Sequence, residues 1–154
     1  MPPQIQLSQS EGPVNEATRV ARLLAIDDPE VLSEVQLAHC VSSGLPSKSA
    51  LGLSEVLGKR WVVGSIIPEA SLRRARKSDK PLSRELSERL YEIGRVVDAL
   101  RLAYHGNKDA IDGFLHRPHV LLEGDTPFDL ARSSSAGAQA VLNLIRRAEA
   151  GVAV

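Results

Sequence analysis

The sequence predicts an all-α protein, and three observations carry that prediction. Aromatic residues make up 3% of the 154 residues while Ala and Leu are plentiful, a composition short of the aromatic and β-branched side chains that strands favour. From Leu82 to Tyr104, apolar residues recur at alternating spacings of four and three: Leu86, Leu90, Ile93, Val97, Leu100 and Tyr104, the rhythm of a helix packed along its length. Ser, Thr, Asp and Pro stand before the apolar runs and Gly behind them, where helix starts and stops belong.

Taken in order, residues 1–16 are polar, carry Pro2, Pro3 and Pro13, and read as a disordered or loosely held arm. Thr18 to Ile26 reads as a short helix with Val20, Leu23 and Leu24. Asp28 as N-cap and Pro29 at N1 predict one helix running to Gly44, with Val31, Val35, Ala38 and Val41 as its buried face. Pro46 to Leu57 follows as another, with Ser47 or Ser49 near its start and Gly58 at its end; Gly52 inside it costs about 1 kcal/mol relative to Ala. Trp61-Val62-Val63 has strand character but is too short for a sheet, and Trp61 is expected to anchor the core. Pro68 suits the first turn of a helix beginning near Ser65 or Ile67, with Leu72 inward. Ser83 then caps the long helix, and Glu85 with Arg89 pairs across one turn. At about 1.5 Å per residue that helix spans roughly 30 Å, its stripe facing either its own chain or a second copy. His105-Gly106-Asn107 closes it, and Lys108 to Leu115 forms a short helix beyond.

Formal net charge is zero, but unevenly spread. Residues 1–58 carry three basic and seven acidic side chains, residues 59–101 eleven and six, and the remainder five and six. A polyanion would meet this protein at its basic middle. There Arg73, Arg74, Arg76 and Lys77 fall within five positions. Two short helices, a link and a basic helix is the order of a helix-turn-helix, whose second helix enters the major groove; a charged face that only meets water is the plainer alternative.

Towards the C-terminus, Thr126 as N-cap, Pro127 at N1 and Asp129 at N3 begin a short helix. Ser134 or Ser135 caps a longer one with Val141, Leu144, Ile145 and Ala148 as its stripe and Gly151 as its stop. Phe114-Leu115, Pro118, Leu122, Gly124, Thr126-Pro127, Leu130, Gly137, Val141, Leu144, Arg147, Glu149 and Gly151 resemble, at the right spacings, the toxin-binding domain of the Xre/MbcA/ParS antitoxins. The resemblance covers about the last third of the chain. It implies a module that grips a partner toxin, commonly of the NAD-consuming RES class, and a DNA-binding part upstream. PEASLRRARKSDKPLSRELSERLYEIGRVVDAL looks like the family's end of helix-turn-helix and its linking helix.

Sites for chemistry are harder to find. His116 and His119 make an HxxH pair, but Pro118 interrupts it and no further ligand stands at a diagnostic distance, so no metal is expected. Ser133, Ser134 and Ser135 lack a nucleophile elbow and are better read as caps. No P-loop or dinucleotide fingerprint is present; neither cofactor nor catalytic activity is expected. Cys40, the single cysteine, reads as a buried reduced thiol. Without a membrane-length apolar run or signal peptide, the expected location is the cytoplasm.

These readings combine as an arm (1–16), a helix-turn-helix-like DNA-binding region (17–81), a linking helix (82–105) and a toxin-binding domain (106–154). The expected partners are a RES-type toxin, operator DNA contacted by Arg73, Arg74, Arg76 and Lys77, and a second copy of the chain. The expected grip on the toxin comprises Arg146, Arg147, Glu149, Gly151, Val152 and Val154, with the small apolar tail entering the toxin's cleft to block NAD. Arg147 has an alternative structural role, held by the helix dipole and by Glu149 or Glu123. The rival reading is a stand-alone transcriptional regulator whose C-terminal module dimerises or senses a ligand.

Overall fold

A single twenty-residue helix, buried on more than one side, organises the molecule. The computed structural model describes residues 14–151, in which every regular element is helical. In chain order these are α1 (Glu16–Leu23), α2 (Glu34–Ser43), α3 (Lys48–Leu57), α4 (Lys59–Val62), α5 (Glu69–Ser78), α6 (Arg84–Ala103), α7 (Lys108–His116), α8 (Pro127–Ser133) and α9 (Ser135–Glu149). Two 3-10 turns, Pro29–Val31 and Val120–Leu122, interrupt the loops. Residues 1–13 of the expected arm, and the tail residues Val152 and Val154, lie outside the described residues; the arm's last two residues belong to the fold instead, Asn15 accepting from the Thr18 amide as N-cap and Glu16 opening α1.

α6 is the anticipated spine. Ser83 accepts from the Leu86 amide, and Leu90, Ile93, Val97 and Leu100 are buried. Ser87, Gly94, Val96 and Asp98 are buried as well, so its buried surface is wider than one stripe, as befits a core helix. α1, α2 and α3 pack on it from one part of the chain, α7, α8 and α9 from the other, and the buried side chains form one continuous cluster. The stripe therefore packs on its own chain. α1 lies close on this face: a Cβ on Gly94 would meet Val20 and Leu24 at 3.4–3.7 Å, ordinary van der Waals contact. On the same helix Asp98, with 8% of its side chain exposed, accepts from Arg19 Nε at 2.8 Å and Nη2 at 3.2 Å. That pair ties α1 to α6 by a charge-assisted fork.

The α2–α3 link is pinned to the start of α6 through backbone. Leu82 N donates to Leu45 O, and Leu45 N to the buried Ser87 hydroxyl, both at 2.8 Å. Gly44 has φ +105°, and a Cβ on it would stand 2.4 Å from Leu82 O, so both conformation and space require glycine.

The structure corrects several expectations. The helix expected from Asp28 to Gly44 is two pieces. Asp28 adopts a left-handed conformation (φ 50°) and opens a 3-10 turn, and a capping box between Ser33 and Gln36 starts α2 afresh. Its inward residues are Leu37 and Val41, while Val31 and Val35 are 75% and 65% exposed. Ala38 is also exposed. Trp61-Val62-Val63 is no strand: the first two residues end α4 and Val63 makes an isolated bridge with Ile67. Val62, not Trp61, is the fully buried member. α5 begins at Glu69 with Pro68 as its N-cap residue. Tyr104 and Ala148 are exposed, and Cys40 is half-buried. No helix among the described residues is long and apolar enough to cross a membrane.

Candidate functional site

Two surfaces stand out, one cationic and one apolar. On α5, Leu72 and Ala75 turn inward, leaving Arg73, Arg74, Arg76 and Lys77 exposed on the opposite arc. The four do not share one surface. Arg73, Arg76 and Lys77 line a groove of about 820 Å³ against α3 and α4, together with Lys59, whereas Arg74 flanks a smaller recess towards Pro81. Leu51, Val63 and Leu72 form the apolar part of the groove, and Glu55 and Glu69 are also in it. Arg73 pairs with Glu69 at 3.3 Å, which removes part of its attraction for an external anion. Lys59 is the member that the sequence does not single out: it lies fourteen residues before the basic run and joins it only through the fold.

The C-terminal helices are built as the caps promised. Thr126 Oγ1 accepts from Asp129 N at 3.1 Å, Ser134 Oγ from Gly137 N at 2.9 Å. A Cβ on Gly137 would fall 2.0 Å from Leu130 O, so α9 can cross α8 this closely only with glycine at that position. Ser133 bonds back to Leu130 O and Ser135 reaches Glu92 on α6; the three serines are structural. Phe128, Val141, Leu142, Leu144 and Ile145 fill the space between α8, α9 and α6.

The expected grip residues sit at the far end of α9, where Arg146, Arg147 and Glu149 are exposed. Among the described residues no ion pair joins Arg147 to Glu149 or Glu123, so the tethered role weighed for it has no support. Gly151 takes φ +76° as the chain leaves the helix, and Val152 and Val154 lie beyond the described residues. Glu149 and Ala148 border a cavity of about 210 Å³ with Leu100, Tyr104, Phe114 and Ile145. Tyr104 and Phe114 also border the adjoining groove, which runs along α7 to Arg117 and His119. The two hollows adjoin at the Tyr104–Phe114 pair, whose rings stand 6.3 Å apart, and together they make up a furrow bordered by both rings.

The histidines are separate. His116 stacks on Trp61, centroids 3.8 Å apart and planes 18° apart, and Phe128 tilts against it at 5.1 Å. Burial, with a smaller contribution from Arg60, outweighs the opposing pull of Asp112 and lowers its pKa below the ordinary histidine value. His119 instead uses Nδ1 to accept the Leu121 amide at 3.1 Å. No group of three or more His, Cys, Asp or Glu gathers to hold a metal among the described residues. The Trp61–His116–Phe128 stack, with Arg132 donating to Ser65 O at 3.1 Å, fastens α7 and α8 to the α4–α5 segment.

Comparison with known families places the second surface. Residues 99–151 match the model of the antitoxin Xre/MbcA/ParS C-terminal toxin-binding domain. The match begins in the last turn of α6 and takes in α7, α8, α9 and the whole furrow. No curated protein matches the chain.

Proposed function

We propose that this chain, whose residues 99–151 match the Xre/MbcA/ParS antitoxin C-terminal toxin-binding domain, is an antitoxin that neutralises a cognate NAD-consuming toxin of the RES class and represses its own promoter. The observation that carries this reading is the toxin-binding domain itself, which folds here as a packed unit of α7, α8 and α9 on the end of α6. Inhibition is occlusion: a stable stoichiometric complex covers the toxin's active site, and this chain contributes contacts but no bond-making. In that complex Arg146, Arg147, Glu149 and Gly151, with the tail residues Val152 and Val154, lie at the toxin's cleft.

DNA binding falls to the region before α6. α5 is the recognition helix in this reading, with Arg73, Arg76 and Lys77 drawing phosphates into the groove they share with Lys59, and Arg74 meeting the backbone from the other flank. Helix-turn-helix proteins usually bind paired half-sites about one helical turn apart, so the DNA-bound form is a homodimer.

Full-length protein is the right material for the test. A chain cut before Phe114 would uncover Leu100 and Val97 on α6 and could fail for want of a core. Co-expression of the full chain with the product of the adjacent gene is expected to restore growth and to yield a co-purifying complex. A harmless neighbour and no complex would contradict the antitoxin reading and favour the stand-alone regulator.

A further inference from the structure

The turn Val120–Leu122 holds two apolar side chains out to water. Val120 is 90% exposed and Leu121 50%, while Leu122 is buried and anchors the turn. Its backbone is closed by local bonds: His119 N to Asp125 O at 3.1 Å, Gly124 N and Leu122 N to His119 O at 3.0 Å, and the Leu121 amide to His119 Nδ1. Glu123 and Gly124 complete the return in left-handed conformations. A turn so bonded has little ordering left to lose on binding, which makes its exposed side chains effective contacts.

Exposed apolar residues scattered singly are ordinary; a rigid pair beside an aromatic furrow is not. Phe114 stands 6.4 Å from the His119 ring and 6.3 Å from Tyr104, so the furrow runs up to the turn. Arg117, Glu123 and Asp125 surround the pair with exposed charges of both signs. An apolar centre inside a polar rim is the anatomy of a protein interface.

We propose that Val120 and Leu121 are the apolar anchor by which the toxin-binding domain seats in its toxin, with a ridge of the toxin lying in the Tyr104–Phe114 furrow. The inference rests on the antitoxin reading and moves the centre of the grip from the end of α9 to the middle of the domain. The occupant is the toxin because turn and furrow both fall inside the toxin-binding stretch, residues 99–151. The chemistry it must offer is an apolar pocket wide enough for a Val–Leu pair, edged by charges of both signs.

The test titrates the purified product of the adjacent gene into four full-length proteins: wild type, Val120→Asp/Leu121→Asp, Tyr104→Ala and Val35→Asp. Val35 is comparably exposed but lies on α2, outside the toxin-binding domain. The double variant is expected to bind at least about 30-fold more weakly, the loss typical of an interface hot spot. Tyr104→Ala should lose less and Val35→Asp nothing. Thermal melting checks that each variant folds, and Val120→Ser alone, at the most exposed position, repeats the measurement should the double variant melt early. Unchanged affinity in a folded anchor variant would overturn the inference while leaving the antitoxin reading intact. So would a wild-type dimer that the double variant splits, since the turn would then belong to a second copy. Failure of wild type itself to bind would instead overturn the antitoxin reading.

Discussion

α5 and the Val120–Leu122 turn are both exposed, yet they differ in what explains their exposure. Four cations on the outer arc of a helix are accounted for by solvation alone, because charged side chains belong in water. A valine at 90% exposure on a hydrogen-bonded turn has no such default. The difference teaches where surface chemistry is informative: the α5 cations need an external reason to be called a binding site, whereas the turn is itself a reason to look for a partner. Energetically the two also part company. Phosphate attraction at α5 is long-range and falls with salt; the turn and its furrow act only on contact and should be nearly indifferent to salt.

The largest expected effect is structural and precedes the comparison. Gly137→Ala places a methyl 2.0 Å from Leu130 O, backbone that cannot swing aside, so α8 and α9 must part at a cost of about 3 kcal/mol. The melting temperature should fall by many degrees, and toxin binding should weaken with it. A melt equal to wild type would show that the crossing is looser than described. Arg19→Met comes next. It leaves Asp98 buried without its cation, and thermal unfolding should show about 3 kcal/mol lost, although neither residue lies on either surface.

Smaller effects separate the two regions directly. Replacing Arg76 or Lys77 by Ala should weaken operator binding uniformly across sequences and flatten its salt dependence by about one counterion each. Arg73→Ala should matter less, because Glu69 already competes for it. Toxin affinity should not change in any of the three. A filter-binding series over salt would read this, and an unaltered slope would count against α5.

The smallest effect concerns the stack that fastens the two regions. Burial holds His116 below its ordinary pKa, so the folded state prefers neutral imidazole and the unfolded chain binds the proton more readily. Stability is therefore fully present above the ordinary histidine value of about 6.5 and is lost progressively as pH falls below it towards the lowered folded value. His116→Phe keeps a ring against Trp61 and should remove that component of the acid-side slope in denaturant melts. An identical pH profile in the variant would mean that protonation of His116 is not coupled to folding.

Much of this was legible in the sequence wherever one signal acted alone. Ser83, Thr126, Pro127 and Ser134 each took the capping or starting role their residue type dictates, and the apolar rhythm of α6 named four of its buried residues. The reading failed where two signals competed. Asp28-Pro29 and Ser33 with Gln36 are both helix starts, five residues apart; the capping box won, and Val31 and Val35 went to solvent as a result. The candidate site was harder still. Lys59 joins the α5 groove, and Tyr104 meets Phe114, only through tertiary packing. Val120-Leu121-Leu122 did carry a signal: three consecutive apolar residues between Pro118 and Gly124, in a segment too short to bury all three. The residues at the end of α9 were found from resemblance, and their geometry adds exposure but no partner.

Toxin and DNA should engage separable surfaces of the molecule. The most direct measurement takes two full-length variants, Val120→Asp/Leu121→Asp and Arg76→Ala/Lys77→Ala, and titrates each with toxin and with operator DNA. The first should lose toxin and keep DNA, the second the reverse, both melting like wild type. If each folded variant loses both ligands, or neither, the division of labour between α5 and the Val120–Leu122 turn is wrong.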